Sequence, residues 1–178
     1  IQEVEASGLY DRLDAAFTPS VCKGIAAYLA PAGMAADGYW IVGGGAKDTT
    51  DSGKMDEPFI AFARDLISDA GEDPSISLTG EGVFRGYAFT EAFRIADALP
   101  GGMSRTNLML ALRNFKIYHP GLLDGLVTEL KGNSDAYFVE GSEYSQFDAE
   151  NQTWVMVGDV VDANGGTPNC RWDKANGG

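Results

Sequence analysis

Between Gly80 and Leu99 the chain reads GEGVFRGYAFTEAFRIADAL, its longest continuous helical pattern, and this stretch is apolar on more than one face. Phe84, Tyr87, Ala88, Glu91, Ala92, Ile95 and Leu99 follow the i, i+3, i+4, i+7 spacing of one helical face, and Phe89, Phe93 and Ala96 form a second row beside it. A helix so widely apolar is expected to be wrapped by sheet or by other helices. Arg85, Glu91 and Arg94 are the positions that demand water or a partner. Gly80, Gly82 and Gly86 crowd its start, where backbone N–H groups lack intrahelical partners and another group can approach closely. The stretch reads either as the wall of a small-molecule site or as a plain core helix.

The elements on either side place this helix in an α/β chain. IQEVEASG at the start reads as the last turns of a helix ended by Gly8, so the chain is expected to be a fragment of something longer. Leu13–Thr18 reads as a short buried strand stopped by Pro19, with Ser20 capping an Ala-rich helix over Val21–Leu29. Asp37–Val42 is an aromatic and β-branched strand closed by Gly43-Gly44-Gly45, and Ala46–Glu57 is a polar loop. Asp56 is the expected N-cap of a helix beginning at Pro58, with Phe59, Phe62, Leu66, Ile67 and Ala70 on one face and Gly71 as its stop. Pro74–Thr79 is a linker, and Pro100, Gly101 and Gly102 end the long helix. Ser104 caps a further helix whose stripe is Leu108, Ala111, Leu112 and Phe115. Leu126–Leu130, Tyr137–Glu143 and Thr153–Val161 are strand-like, the last two flanking an Asp148–Gln152 turn, and the tail from Asn164 is Gly-rich and irregular. This order predicts a mainly parallel sheet with helices and a closing antiparallel hairpin.

Charge and cysteine content bound the function. The 178 residues carry 26 acidic and 13 basic side chains, a net charge of −13. That excludes nucleic acid as a partner, because counterion release needs clustered Lys and Arg, and it argues against an anionic membrane surface. No apolar run approaches the ~20 residues of a membrane span. Cys22 and Cys170 are the only cysteines. They either form one disulfide, which for so long a loop contributes about 5 kcal/mol in the chain-entropy model, or remain free. No Cys/His spacing suits a metal.

Motifs for chemistry are sparse. Gly43-Gly44-Gly45-Ala46-Lys47-Asp48 lacks the glycine spacing and the Ser or Thr after Lys that a phosphate loop requires. Gly80-x-Gly82 lacks the third glycine of a dinucleotide fingerprint. Asp48–Gly53 resembles the opening of a calcium loop, but Phe59 stands where that loop needs a bidentate Glu, so a solvated loop is expected. His119, the sole histidine, precedes Pro120 and is expected in a turn, and there is no G-x-S-x-G elbow. Asp135, Glu140 and Glu143 read as surface charge. No cofactor, metal ligand or catalytic residue is indicated, and an enzyme using Ser20 or Cys22 at a strand-to-helix turn is the reading left for catalysis.

Six stretches in order resemble the C-terminal half of a type I periplasmic solute-binding protein of the branched-chain amino-acid ABC-transporter group. They are AFTPS (Ala16–Ser20), AADGYWIVG (Ala35–Gly43), PFIAFARDLISDAG (Pro58–Gly71), GYAFTEAFRIADAL (Gly86–Leu99), SRTNLMLALRNF (Ser104–Phe115) and AENQTWVMVGDV (Ala149–Val160). TPSVCK and the late Asn-Cys look like an actinobacterial branch. The resemblance implies two Rossmann-like lobes joined by three crossovers, with a small-molecule ligand held between them. Residues 1–44 would form part of lobe 2 and residues 45–125 part of lobe 1, and residues 126–178 would return to lobe 2. The partners implied are the missing N-terminal half of the same protein and a membrane permease, in an extracytoplasmic location; a ligand-sensing domain of a signalling receptor would use the same fold.

Carried over, the cleft-facing positions are Phe17, Thr18, Pro19 and Ser20 at a strand end, with Phe84 and Tyr87 on the long helix. The family's amino-acid-binding members hold the substrate ammonium with an acidic residue near that strand end, and FTPS supplies none. Phe17, Phe84 and Tyr87 suit an apolar or aromatic ring instead, with Thr18 and Ser20 donating hydrogen bonds. Glu81 is the alternative ammonium partner if it points inward.

Overall fold

A computed structural model describes residues 1–132 and 134–166 of the chain. Helix α1 (Gln2–Ala6) opens it and ends where Gly8 turns to a positive φ of 66°. Strand β1 (Phe17–Thr18) runs parallel to β2 (Trp40–Val42). Three helices follow: α2 (Pro58–Asp69), α3 (Ser77–Ala98) and α4 (Arg105–Arg113). Strand β3 (Lys116–Ile117) pairs with β4 (Thr128–Glu129), and β5 (Tyr144–Asp148) and β6 (Thr153–Met156) form the closing hairpin.

The main sheet has the order β1-β2-β5-β6, with β1–β2 parallel and the other two pairs antiparallel. It is mixed, where a mainly parallel sheet was expected, because the hairpin docks directly on β2. Ile25, Leu29, Ala36, Tyr39, Ile41, Phe147, Ala149 and Trp154 form the core on this sheet. Among the described residues no helix is long and apolar enough to cross a membrane.

The helix expected over Val21–Leu29 is broken. A 3₁₀ turn, Ser20–Cys22, is followed at Gly24 by non-helical backbone, and a π-helical turn then covers Ile25–Leu29. Ser20 caps nothing. The restart is capped from elsewhere in the chain: Ile25 N–H donates to Asp48 Oδ2 at 2.8 Å and Ala26 N–H to Thr50 Oγ1 at 3.2 Å. Gly24 must be glycine, since a Cβ there would lie 2.7 Å from Ser77 Cβ.

Other expectations shift for similar reasons. Only Phe17 and Thr18 of the first strand pair, and Leu13 is exposed because β1 is an edge with one neighbour. Glu57, not Asp56, caps α2, its Oε2 accepting from Phe59 N and Ile60 N at 3.0 Å each. The face α2 buries is Phe59, Ile60, Ala63 and Ile67, which leaves Phe62 and Leu66 half in solvent. Ser104 caps α4 as expected, accepting from Asn107 N. The stretch expected as strand Tyr137–Glu143 makes only isolated bridges, and pairing in the sheet begins at Tyr144. Strand β6 stops at Met156, and Gly158 follows with a φ of 78°.

Helix α3 begins at Ser77, earlier than Gly80, and is not wrapped. It packs along α4 and over a shorter length on α2, burying Ser77, Gly80, Ala92 and Ala96. Phe89 and Phe93, the second apolar row, stay 56% and 44% exposed. Small residues at Ala92 and Ala96 allow close helix packing, while no described residue covers the phenylalanine row.

The sheet with its short helices and the α2–α4 group meet where two segments run side by side. Lys47 N donates to Gly121 O and Leu123 N to Gly45 O, each at 2.8 Å, and Ala46 bridges Leu122. Beyond these, Phe138 stacks on Phe115 at 5.3 Å, which keeps the β4 stretch beside the end of α4.

Candidate functional site

Where the strand ends meet the first turns of α3, the chain encloses a cleft of about 180 Å³. Ser20 and Val21 reach it from the end of β1, Gly43 and Gly44 from the end of β2, and Lys23 and Gly24 from the helix break. Ala46–Thr49 form the floor, and Ser77, Glu81, Phe84 and Arg85 of α3 the opposite wall. The carboxyl ends of parallel strands and a helix N-terminus are the places where α/β folds hold ligands.

Of the residues expected at a ligand site, Ser20 and Phe84 line this cleft. Phe17 stands outside it, with its ring 6.1 Å from Trp40, and Thr18 and Pro19 are likewise not part of its wall. Tyr87 packs 5.0 Å from the His119 ring rather than into the cleft. Glu81 does face the cleft and lies 3.6 Å from Arg85. Cys22 has no disulfide partner among the described residues, and Cys170 lies outside them.

The glycine run is fully occupied by its own chain. Gly43 N donates to Glu143 O at 3.0 Å, Gly44 N to Ser142 Oγ at 2.9 Å and Gly45 N to Glu143 Oε2 at 2.8 Å. No N–H of the run is left to cradle a phosphate. A Cβ on Gly43 would fall 1.9 Å from Glu143 Oε1, so the second glycine-run function is close approach.

Every cation in the cleft wall has a carboxylate. Lys23 forms a buried ion pair with Glu143, and Lys47 binds Glu57 Oε1 at 2.5 Å and Pro120 O at 2.8 Å. Burial pushes the Lys23 ammonium down from its ordinary value and Glu143 opposes that shift. Glu143 is 1% exposed, so it is not the surface charge its sequence context suggested. The Asp48–Gly53 loop is not solvated either. Asp48 accepts from Ile25 N, Thr50 N and Thr50 Oγ1, and burial still pushes its carboxyl upward. Asp51 accepts from Gly53 N, Thr153 Oγ1 and Trp154 N. These carboxylates are bound to the protein's own donors, and the described residues hold no cluster of three or more metal-ligating side chains.

His119 is 3% exposed. Its Nδ1 accepts from Gly121 N at 3.1 Å and its Nε2 lies 2.9 Å from Phe84 O. With both nitrogens engaged by backbone, it is no base for Ser20 or Cys22. The wall residues that sequence reasoning missed, Lys23, Thr49 and Ser77, carry no local motif. The visible signal was the pair of strand ends, Pro19-Ser20 and Gly43-Gly44.

No family model and no curated protein matches the sequence. Among solved structures, the chain is similar to the crystal structure of a branched chain amino acid ABC transporter from Thermus thermophilus with bound valine. The TM-score is 0.71 at 16% identity, over 99% of this chain and 44% of that one. The chain thus spans less than half the length of this neighbour. The fold is that of part of a type I periplasmic binding protein.

Proposed function

We propose that the chain belongs to the solute-binding component of an ABC importer. It holds part of a small-molecule site in an inter-lobe cleft and works with a membrane permease, outside the cytoplasm. The observation that carries this reading is the position of the cleft, beyond the ends of β1 and β2 and against the first turns of α3, beside the paired segments 43–47 and 121–123. In this reading residues 1–44 and the closing hairpin form part of one lobe and residues 45–125 part of the other. From residue 126 the chain returns to the lobe of residues 1–44, and a separate N-terminal half completes the site. Lobe closure about the crossovers is the mechanism, with no bond made or broken.

Phe84 and Val21 suit the apolar or aromatic body of a ligand, and Ser20 and Ser77 supply hydroxyls. The ligand in this reading is a small apolar or aromatic acid or amino-acid-like molecule, and because Lys23 and Lys47 are already neutralised it is oriented by hydrogen bonds and not by either lysine. A thermal-shift screen of the full-length polypeptide against amino acids, aromatic acids, sterol-like acids and amides tests this. A ligand at a hundred times its Kd adds about 2.7 kcal/mol. A shift with one chemical class supports the reading; catalytic turnover of the ligand, or no shift across the panel, overturns it.

A further inference from the structure

His119 stands between the cleft-wall residue Phe84 and the segment 121–123, and both nitrogens of its ring are engaged. Because Nδ1 accepts the Gly121 N–H, the neutral ring carries its proton on Nε2, which donates to Phe84 O. Its ring lies 4.1 Å from the Phe84 ring, 5.0 Å from Tyr87 and 6.1 Å from Phe59, so α2 and α3 both pack on it. Gly121 is equally constrained: a Cβ there would lie 2.7 Å from Phe84 and 2.8 Å from Phe59. Phe84 meanwhile lines the cleft. One imidazole therefore ties a cleft-wall side chain to the segment that pairs with residues 45–47.

We propose that neutral His119 is a positioning residue, holding the Phe84 wall in register with the paired segment at Gly121, and that protonating its ring releases this coupling. Protonation turns Nδ1 from acceptor to donor, so it faces the Gly121 N–H with a second N–H and that hydrogen bond is lost. Among the charged groups around the ring, Lys47 opposes its protonation, while the hydrogen bond to Phe84 O favours it. Lys47 bears a positive charge nearby and is held by Glu57 at the start of α2, while Tyr87 presents a ring. No carboxylate hydrogen-bonds the imidazole to stabilise its cation.

The consequence for ligand binding rests on the cleft reading above; the coupling itself is measured without ligand, so either can fail alone. The experiment is a pH titration of the intact polypeptide followed by ¹⁵N imidazole and backbone NMR, with His119→Gln and His119→Asn as references. The expected result is an Nε2–H tautomer. The Gly121 amide and Phe84 ring resonances should move with the same midpoint as the imidazole, below the ordinary 6.5. Protection of the Gly121 amide should fall roughly tenfold on protonation, the scale of one lost hydrogen bond. In the two variants the Phe84 and Gly121 resonances should lose that pH dependence. An Nδ1–H tautomer, or a ring that titrates without moving Phe84 and Gly121, overturns the proposal. Persistence of the same transition in either folded variant also overturns it, and the wild-type titration decides the matter if both variants fail to fold.

Discussion

Lys23 and Glu143, 120 residues apart, form an ion pair in which the Glu143 side chain is 1% exposed and that of Lys23 11%. The same carboxylate accepts the Gly45 N–H, and its backbone carbonyl accepts that of Gly43. One residue at the start of the hairpin thus fixes the glycine run, and Lys23 balances its buried charge. Trp154 locks the other side, its Nε1 donating to Lys23 O at 2.8 Å.

Removing one partner leaves a buried charge without compensation. Lys23→Met is expected to lower stability by about 3–5 kcal/mol. Lys23→Met with Glu143→Gln should recover more than half of that loss, because the amide oxygen still accepts from Gly45 and no net charge remains buried. Urea unfolding of the two single variants and the double variant measures this; strict additivity of the single losses would show that the pair does not act as a unit.

The three glycines at the start of α3 should behave oppositely. At Gly80 a Cβ would sit 1.8 Å from the buried Thr49 Oγ1, whereas at Gly82 and Gly86 it meets nothing within 4 Å. Gly80→Ala is expected to destabilise by about 1–3 kcal/mol through overpacking. Gly82→Ala and Gly86→Ala should each stabilise by about 0.5–1 kcal/mol through helix propensity. Equal effects at all three positions, measured by thermal unfolding, would contradict this packing.

At the cleft, Phe84→Leu keeps apolar bulk but removes the ring. It is expected to weaken binding of whichever compound the thermal-shift screen identifies by roughly tenfold, equivalent to about 1.4 kcal/mol. Phe17→Leu, outside the cleft wall, should change affinity by less than about twofold. Titration calorimetry on both variants compares them directly, and a larger loss at Phe17 would move the ligand toward the end of β1.

Acid should weaken the fold through His119. Burial holds its pKa in the folded chain below the ordinary 6.5, with Lys47 adding to the effect and the hydrogen bond to Phe84 O opposing it. The unfolded chain therefore binds the proton more readily. The contribution is fully present above 6.5, declines as pH falls below it, and is lost once pH passes the folded value. Urea midpoints measured from about pH 8 to about pH 5 should fall more steeply in the wild type than in His119→Gln, and parallel curves would remove His119 as the cause.

Much of the architecture was legible because helices and hairpins are local. The α2 and α4 segments, with Pro58 at a helix start and Ser104 as a cap, announce themselves in periodicity and capping chemistry. So do the Asp148–Gln152 turn and the start of β6, although the strand before the turn is Tyr144–Asp148 and not the expected Tyr137–Glu143. Of the positions carried over from the family resemblance, Ser20 and Phe84 line the cleft, while Phe17, Thr18, Pro19 and Tyr87 do not. Sequence alone thus determined the order of elements, the acidic surface and the lack of a nucleotide or metal motif. Tertiary structure decided what the buried charges do. Asp48, Asp51 and Glu143 look like solvated carboxylates in a sequence with 26 acidic residues. Yet each is buried, because backbone N–H groups or a lysine from distant segments reach it. The break at Gly24, the inward ring of His119 and the separation of Gly80 from Gly82 have the same origin. A partner more than a few residues away leaves no periodic trace, and only the folded chain supplies the donor, the acceptor or the clash that gives each residue its role.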